Sequence, residues 1–322
     1  MSGGLRLIDL FSGAGGFSRG FRDLGYKIIL AVDNDRSVAK TYSANYPGSE
    51  VLNEDIRSVS CDDIRYVANS TSVDVVIGSP PCESFTAANP NRRRDPLDRL
   101  YSDPAGVLVL EFIRIVECVK PRVFVMENVP SLIEGGLKHA IRAEYARAGY
   151  GSIFYNILRA EDYGSPSKRT RIFVSNVRID PPKIGVRRTV WNAIGDLPKP
   201  SRDPEIPNHE TPPSLSTKKL KKIAKLRFGK ALVKYRGSRG RLYPNLIKLD
   251  PLKTAPTVLG SSRFIHPYEL RLLTVREQAR LMSYPDDHVF FGGRDEQYNQ
   301  VGESVPPVLS SAIAKYLLKY LI

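Results

Sequence analysis

Cys82 is one of only three cysteines in the 322 residues, and it stands in GSPPCESF, directly after the apolar run VDVVI. Pro80 and Pro81 deny the backbone helical freedom at that point and fix the direction of the thiol. A cysteine kept for packing belongs inside an apolar run. A thiol on a stiff loop beyond a strand is a candidate nucleophile, with a buried inert thiol as the alternative reading of these residues alone. RVFVMENVP repeats the design with Glu127, a carboxylate at a strand end with a proline shortly after. Such a group can protonate or hydrogen-bond a substrate, and can equally cap a helix or pair with a cation.

Both residues need a scaffold that brings strand ends together. LRLIDLF, KIILAVD, VDVVIGS, RVFVMEN, SIFYNIL and RIFVSNV are apolar runs of strand length that end in polar, Gly or Pro residues. Between them, segments 35–45, 104–119 and 131–148 carry apolar residues at helical spacing. In the second, Val107, Leu108, Leu110, Phe112, Ile115, Val116 and Val119 form the expected buried side. Strand and helix in alternation predict an α/β fold with a parallel sheet covered on both faces. Ligands of such sheets bind beyond the carboxyl ends of the strands. There the first strand runs into DLFSGAGGF, where Gly13, Gly15 and Gly16 permit a tight turn and close backbone approach. Ser18 breaks a Gly-x-Gly-x-x-Gly pattern, so a phosphate cradle is not indicated. Asp33 ends the second strand, where it can accept from ribose hydroxyls, and Asp55 follows a third short strand, where it can receive an adenine amino group. Together these features suit an adenosyl cofactor.

Beyond residue 180 the texture changes to Pro, Lys and Arg. Residues 183–248 hold 17 Lys and Arg against 4 Asp and Glu, almost the whole of the net charge of +14. A balance this basic points to an anionic polymer. TVREQARLMSYP predicts a helix with Thr274 and Glu277 as a capping box. In VPPVLSSAIAKYLLKYLI, residues Leu309, Ile313, Tyr316, Leu317 and Leu321 share one helical face, which must dock on the sheet. No run of roughly 20 apolar residues and no secretory signal is present, which predicts a cytoplasmic protein with no membrane partner. Cys61, Cys82 and Cys118 are odd in number and widely spaced, so neither a disulfide framework nor a metal site is expected from them; four scattered histidines add no metal-binding spacing.

DLFSGAGGF, AVDNDRSVAKTY, NEDI, GSPPCESF, MENVP, DYGSPSKRTRIFV, RLLTVREQARLMSYPDD and QVGESVPPVLSSAIA, in this order, resemble the motif series of the prokaryotic DNA (cytosine-5)-methyltransferase family, from residue 7 to the C-terminal helix. The resemblance implies a Rossmann-like S-adenosylmethionine-dependent sheet with helices on both faces, formed by 1–180 and 300–322. It also implies a small irregular target-recognition domain with hinge segments over 181–299. It implies Cys82, Glu127, Arg169 and Arg171 as catalytic residues. Cofactor contacts carry over to Phe11, Gly13, Ala14, Gly16, Asp33, Asn34, Asp55, Ile56, Pro80, Leu108, Ser304 and Val305, with no metal. S-adenosyl-L-methionine is the implied cofactor, S-adenosyl-L-homocysteine its product, and double-stranded DNA the partner of a monomeric enzyme. A cognate restriction endonuclease, where one exists, would act independently. A tRNA cytosine-C5 methyltransferase is the alternative function. Four positions depart from the family pattern: Glu83, Ser167 and Glu303 replace its Gln, Gln and Asn, and Ala105 stands where an Arg is common. The loop from Glu83 to Asp103, with Arg92, Arg93 and Arg94, is expected to be mobile and to close on bound DNA.

Overall fold

The computed structural model describes residues 4–68, 72–87, 89–236, 240, 242–261 and 264–322. The chain divides into two compact units, one of residues 1–158, 170–182 and 310–322, the other of 159–169 and 183–309. The division differs from the expected one at 159–169 and 300–309, which group with the insertion, and at 181–182, which group with the sheet.

The first unit opens with β1 (Arg6–Leu10), α1 (Gly16–Arg22), β2 (Lys27–Val32), α2 (Arg36–Asn45), β3 (Glu50–Leu52), α3 (Cys61–Val67) and β4 (Val75–Gly78). It continues through α4 (Pro96–Tyr101), α5 (Leu108–Val119), β5 (Val123–Asn128), α6 (Leu137–Arg147), β6 (Phe154–Arg159) and β7 (Thr170–Ser175). One seven-stranded sheet results, in the order β3-β2-β1-β4-β5-β7-β6. The pairs β3–β2, β2–β1, β1–β4 and β4–β5 are parallel, and β7 runs antiparallel to β5. The sheet is thus parallel-rich, as expected, with β7 reversed. Between β6 and β7 the chain makes only a short 3-10 turn at Ala160–Tyr163, and a parallel crossover takes a dozen or more residues.

Near-continuous apolar composition fits β1, β2, β4 and β5 to the sheet centre, where Leu7, Ile8, Leu30, Val76, Ile77 and Val125 are fully buried. Helix α5 buries more than its expected side: Val109 and Ile113 join Phe112, Ile115 and Val116, while Val107, Leu108, Leu110 and Val119 are half-buried. The helix packs against α3 and α6 as well as the sheet, so its apolar surface extends most of the way round.

The last helix of the chain, Pro307–Leu321, carries its apolar face into the first unit, with Ile313 and Leu317 fully buried and Leu321 nearly so. Ser310 donates to the Phe17 carbonyl, and the Tyr26 hydroxyl donates to the Ala314 carbonyl at 3.0 Å. Gly20 of α1 makes this approach possible, because a Cβ there would overlap the backbone of Ser310 and Ser311.

Cys61 and Cys118 form a disulfide with Cα atoms 5.8 Å apart, joining the start of α3 to the end of α5. The sequence reading, which expected no such bridge, is corrected here: a separation of 57 residues has no local signature, and only the packing of α3 on α5 makes the pair neighbours. The chain-entropy model assigns closure of a loop of that size about 4 kcal/mol, and strain would reduce it. A reductant is therefore expected to lower the thermal midpoint of the native protein and leave that of Cys61→Ser/Cys118→Ser unchanged, as read by calorimetry.

The second unit contains α7 (Val190–Ile194), α8 (Thr217–Ala224), β8 (Ala231–Arg236), β9 (Leu242–Lys248), β10 (Phe264–Ile265), α9 (Val275–Leu281) and α10 (Arg294–Glu303); the final helix is α11. Strands β8 and β9 pair antiparallel and β9 and β10 parallel. The capping box expected at α9 is present, with Thr274 Oγ1 accepting from the Glu277 amide and Glu277 accepting from the Thr274 amide. Fully buried Arg276 donates to the carbonyls of Pro207, Pro285 and His288 and so ties three loop segments to α9.

A candidate active site at the carboxyl edge of the sheet

Cys82 lies four residues beyond β4, half-buried, and it retains a thiol. Its carbonyl accepts from the amides of Phe85 (3.0 Å) and Thr86 (2.9 Å), which folds CESF into a helical turn. Phe85, fully buried, anchors that turn in the core. Asn128, the last residue of β5, donates from Nδ2 to the Pro80 carbonyl at 3.0 Å and ties the cysteine loop to the neighbouring strand. Glu127 precedes Asn128 and is 5% exposed. Its Oε1 pairs with Arg171 Nε at 2.9 Å, from β7 on the other side of β5. Both side chains are largely buried, so two opposite charges compensate each other where either alone would be costly. Adjacent strands thus bring the loop of Cys82, Glu127 and Arg171 to one edge. Arg169 belongs to the other unit, where its buried guanidinium donates to the carbonyls of Gly302 (2.8 Å) and Val258 (3.3 Å).

The glycine turn after β1 shows what it can receive. Phe11, Gly13 and Gly15 all have positive φ, at 53°, 53° and 82°. Positive φ at Phe11, a bulky residue, is a sparsely populated conformation of the kind that clusters at ligand sites. A Cβ on Gly13 would meet open space, whereas one on Gly15 would overlap the Tyr46 ring. The turn is therefore backed by protein on one side and open on the other. Its Ser12 hydroxyl is buried and has no hydrogen-bond partner among the described residues. Ala14 is buried and Gly16 begins α1.

Asp33 Oδ2 accepts from the Gly13 amide at 2.9 Å and Oδ1 from the Asp35 amide at 3.1 Å. Burial raises its pKa, and these amide bonds counter part of that rise. Asn34 beside it is exposed. Asp55 is held by Arg57 through Nε (2.9 Å) and Nη2 (2.5 Å), hydrogen bonds that bring its pKa down to about 2. An adenine amino group would have to share or displace that guanidinium. Ile56 and Pro80 are buried and Leu108 is half-buried at the head of α5. In the second unit, Ser304 donates to the Gln300 carbonyl (2.5 Å) and accepts from the Tyr284 hydroxyl (2.6 Å), and Val305 is buried.

Sequence reasoning missed the cluster that backs the glycine turn. Asp9, 1% exposed in β1, accepts on Oδ2 from Ser18 Oγ at 2.6 Å, and the Tyr42 hydroxyl lies 2.6 Å from the same Ser18 oxygen. Tyr42 stacks on Tyr46 with centroids 4.3 Å apart, and Tyr46 donates to the Gly15 carbonyl. Burial pushes Asp9 well above the usual carboxylate range. A carboxylate inside the buried run RLIDL was the available signal. The tyrosines four apart on α2 gave none beyond helical spacing.

The arrangement joins a stiffly held thiol, a carboxylate and guanidinium at its strand edge, and an open backbone cradle with two carboxylates nearby. That set suits nucleophilic attack on a substrate beside a nucleoside cofactor. A family model described as C-5 cytosine-specific DNA methylase matches residues 5–319. The chain is 50% identical over 321 residues, 98% of its own length and 100% of the other's, to a protein of Methanocaldococcus jannaschii named "Putative type II methyltransferase M.MJ0563P". It is 37% identical to the type II methyltransferase M1.HphI of Haemophilus parahaemolyticus, covering 98% of this chain and 87% of that one. A crystal structure titled as a "putative DNA modification methyltransferase encoded within prophage" (E. coli) superposes with a TM-score of 0.77 at 27% identity, over 98% of this chain and 99% of that one. The match runs through the cysteine loop, the Glu127 strand and the final helix alike, and the chain belongs to the C-5 cytosine-specific DNA methylases.

Proposed function

We propose that the protein methylates C5 of a cytosine swung out of a specific double-stranded DNA sequence, through a covalent adduct with Cys82. What supports this is that the loop of Cys82 follows β4 and is tied by Asn128 to β5, the strand that carries Glu127 in its buried pair with Arg171. A cytosine inside a duplex hides C6, so the base must leave the stack, at a cost of a few kcal/mol.

The Cys82 sulfur, as thiolate, forms a bond to C6, and the displaced π electrons give C5 enamine character. Glu127 meets the N3 and amino edge of the base and hydrogen-bonds to it as the adduct forms, N3 taking up the proton that balances the charge brought by the sulfur, while Arg171 pairs with the Glu127 carboxylate and fixes its orientation. After methylation a base takes the C5 proton, the C5–C6 double bond re-forms, and Cys82 leaves as thiolate. S-adenosylmethionine, when bound, supplies the electrophilic methyl group and departs as S-adenosylhomocysteine. The residues present fit such a group: the open side of Gly13, the Ser12 hydroxyl and Asp33 would hold its amino-acid and ribose portions, and Asp55, Ile56 and Leu108 its adenine. Arg169 anchors the segment that carries Ser304 and Val305.

The test is incubation with plasmid DNA and S-adenosylmethionine, followed by sequencing of 5-methylcytosine. Methylation at one recurring sequence is expected, and absence of 5-methylcytosine refutes the reading. Glu127→Gln keeps the size of the side chain and removes its acid; it is expected to lower kcat by about 10²- to 10⁴-fold.

A further inference from the structure

Arg92, in the loop expected to close on DNA, turns inward with its side chain 8% exposed. Its Nη1 donates to the Phe85 carbonyl (2.8 Å) and to Glu134 Oε2 (3.3 Å), just beyond the short turn that follows β5. Arg99 on α4 is 3% exposed, and its Nη1 lies 3.7 Å from the same Glu134 oxygen. The rest of the Arg99 guanidinium holds the loop itself, with Nε donating to the Arg93 carbonyl (2.8 Å) and Nη2 to the Arg94 carbonyl (3.0 Å). Ser131 Oγ adds a second bond to the Phe85 carbonyl at 2.7 Å. One carboxylate therefore answers two inward-facing guanidinium groups, of which Arg92 bonds the turn that carries Cys82 and Arg99 bonds the loop beyond it.

We propose that Glu134 is a positioning residue for the nucleophile: by clasping Arg92 and Arg99 it holds the loop 82–99 in register with Glu127. With Glu134, itself 53% exposed, made neutral, Arg92 and Arg99 lose a shared counter-charge and have reason to move toward water, loosening the loop around the core-anchored cysteine turn.

This rests on Cys82 being the nucleophile, and the test separates the two claims. The probe is a methylatable duplex with 5-fluorocytosine at the target position, which traps the Cys82–C6 adduct because fluorine cannot leave C5 as a proton does. The unaltered enzyme with S-adenosylmethionine should accumulate adduct; if it does not, the nucleophile assignment fails. Given that it does, Glu134→Gln should form adduct about tenfold more slowly at saturating duplex, and Glu134→Ala more slowly still, since misplacement by about 1 Å can cost up to about a hundredfold. The affinity of each variant for S-adenosylmethionine, measured without DNA, should stay within twofold, and so should the midpoint of urea unfolding. Adduct formation within twofold of the unaltered rate, or faster, overturns the proposal. A parallel loss of cofactor affinity and of unfolding midpoint also overturns it, since that marks a general structural role.

Discussion

Replacing Cys82 with alanine is expected to reduce methyl transfer by about 10⁴-fold or more, because without the sulfur adduct C5 of cytosine has no enamine form to accept a methyl group. The same change should leave cofactor binding within a few fold. Among the groups assigned to the cofactor, the Gly13 amide is held by Asp33, and Asp55 is held by Arg57. The turn itself should persist, since it is fixed through main-chain atoms: the Cys82 carbonyl accepts from Phe85 and Thr86, and Asn128 holds Pro80. A calorimetric titration of S-adenosylmethionine beside a turnover assay on plasmid DNA separates the two effects. Cys82→Ser sharpens the comparison, since a hydroxyl keeps the polarity and loses the readily ionised, polarisable nucleophile. Normal methylation by the alanine variant would remove Cys82 from the mechanism.

Much of this site was legible before any coordinates because its residues sit at the ends of strands, and strands announce themselves by composition. The runs that became β1, β2, β4, β5, β6 and β7 all form strands, and Thr274 caps α9 with Glu277 as its spacing predicts. The signals that failed are those that depend on which elements become neighbours. Nothing local marks β7 as antiparallel to β5, because strand direction follows from the connection and not from the residues. Cys61 and Cys118 read as isolated until α3 packs on α5. Arg92 reads as one of three loop cations open to water, since such a run usually faces solvent. Facing inward it meets Glu134, 42 residues away, which no local pattern pairs with it. Arg169 and Arg171, two residues apart, diverge completely: one bonds backbone carbonyls in the second unit and the other pairs with Glu127 in the first. Departures in this chain follow the same logic. Ser167 is buried and bonded within its own unit, so its neighbours fix its role, and Glu83 is exposed.

Raising salt from about 50 to about 200 mM is expected to weaken DNA binding by about 10³-fold or more if six phosphates are neutralised. The cations for this are available in the second unit. Helix α8 buries only Ile223, while Lys218, Lys219, Lys221 and Lys222 are exposed, as are Lys225, Arg227 and Lys230 just beyond it. None of these seven pairs with a carboxylate among the described residues, so their charge is not spent inside the fold. A solvated helix face would look the same in isolation, and the salt slope tells the two apart. Each lysine that touches phosphate contributes about one unit to the slope of log affinity against log salt. Lys218→Gln/Lys219→Gln/Lys221→Gln/Lys222→Gln is expected to flatten that slope by two to four such units, with binding weakened about equally on target and non-target duplexes. An unchanged slope would assign these lysines to solvent and move the docking surface elsewhere. Loss confined to the target sequence would mean instead that they contact base edges.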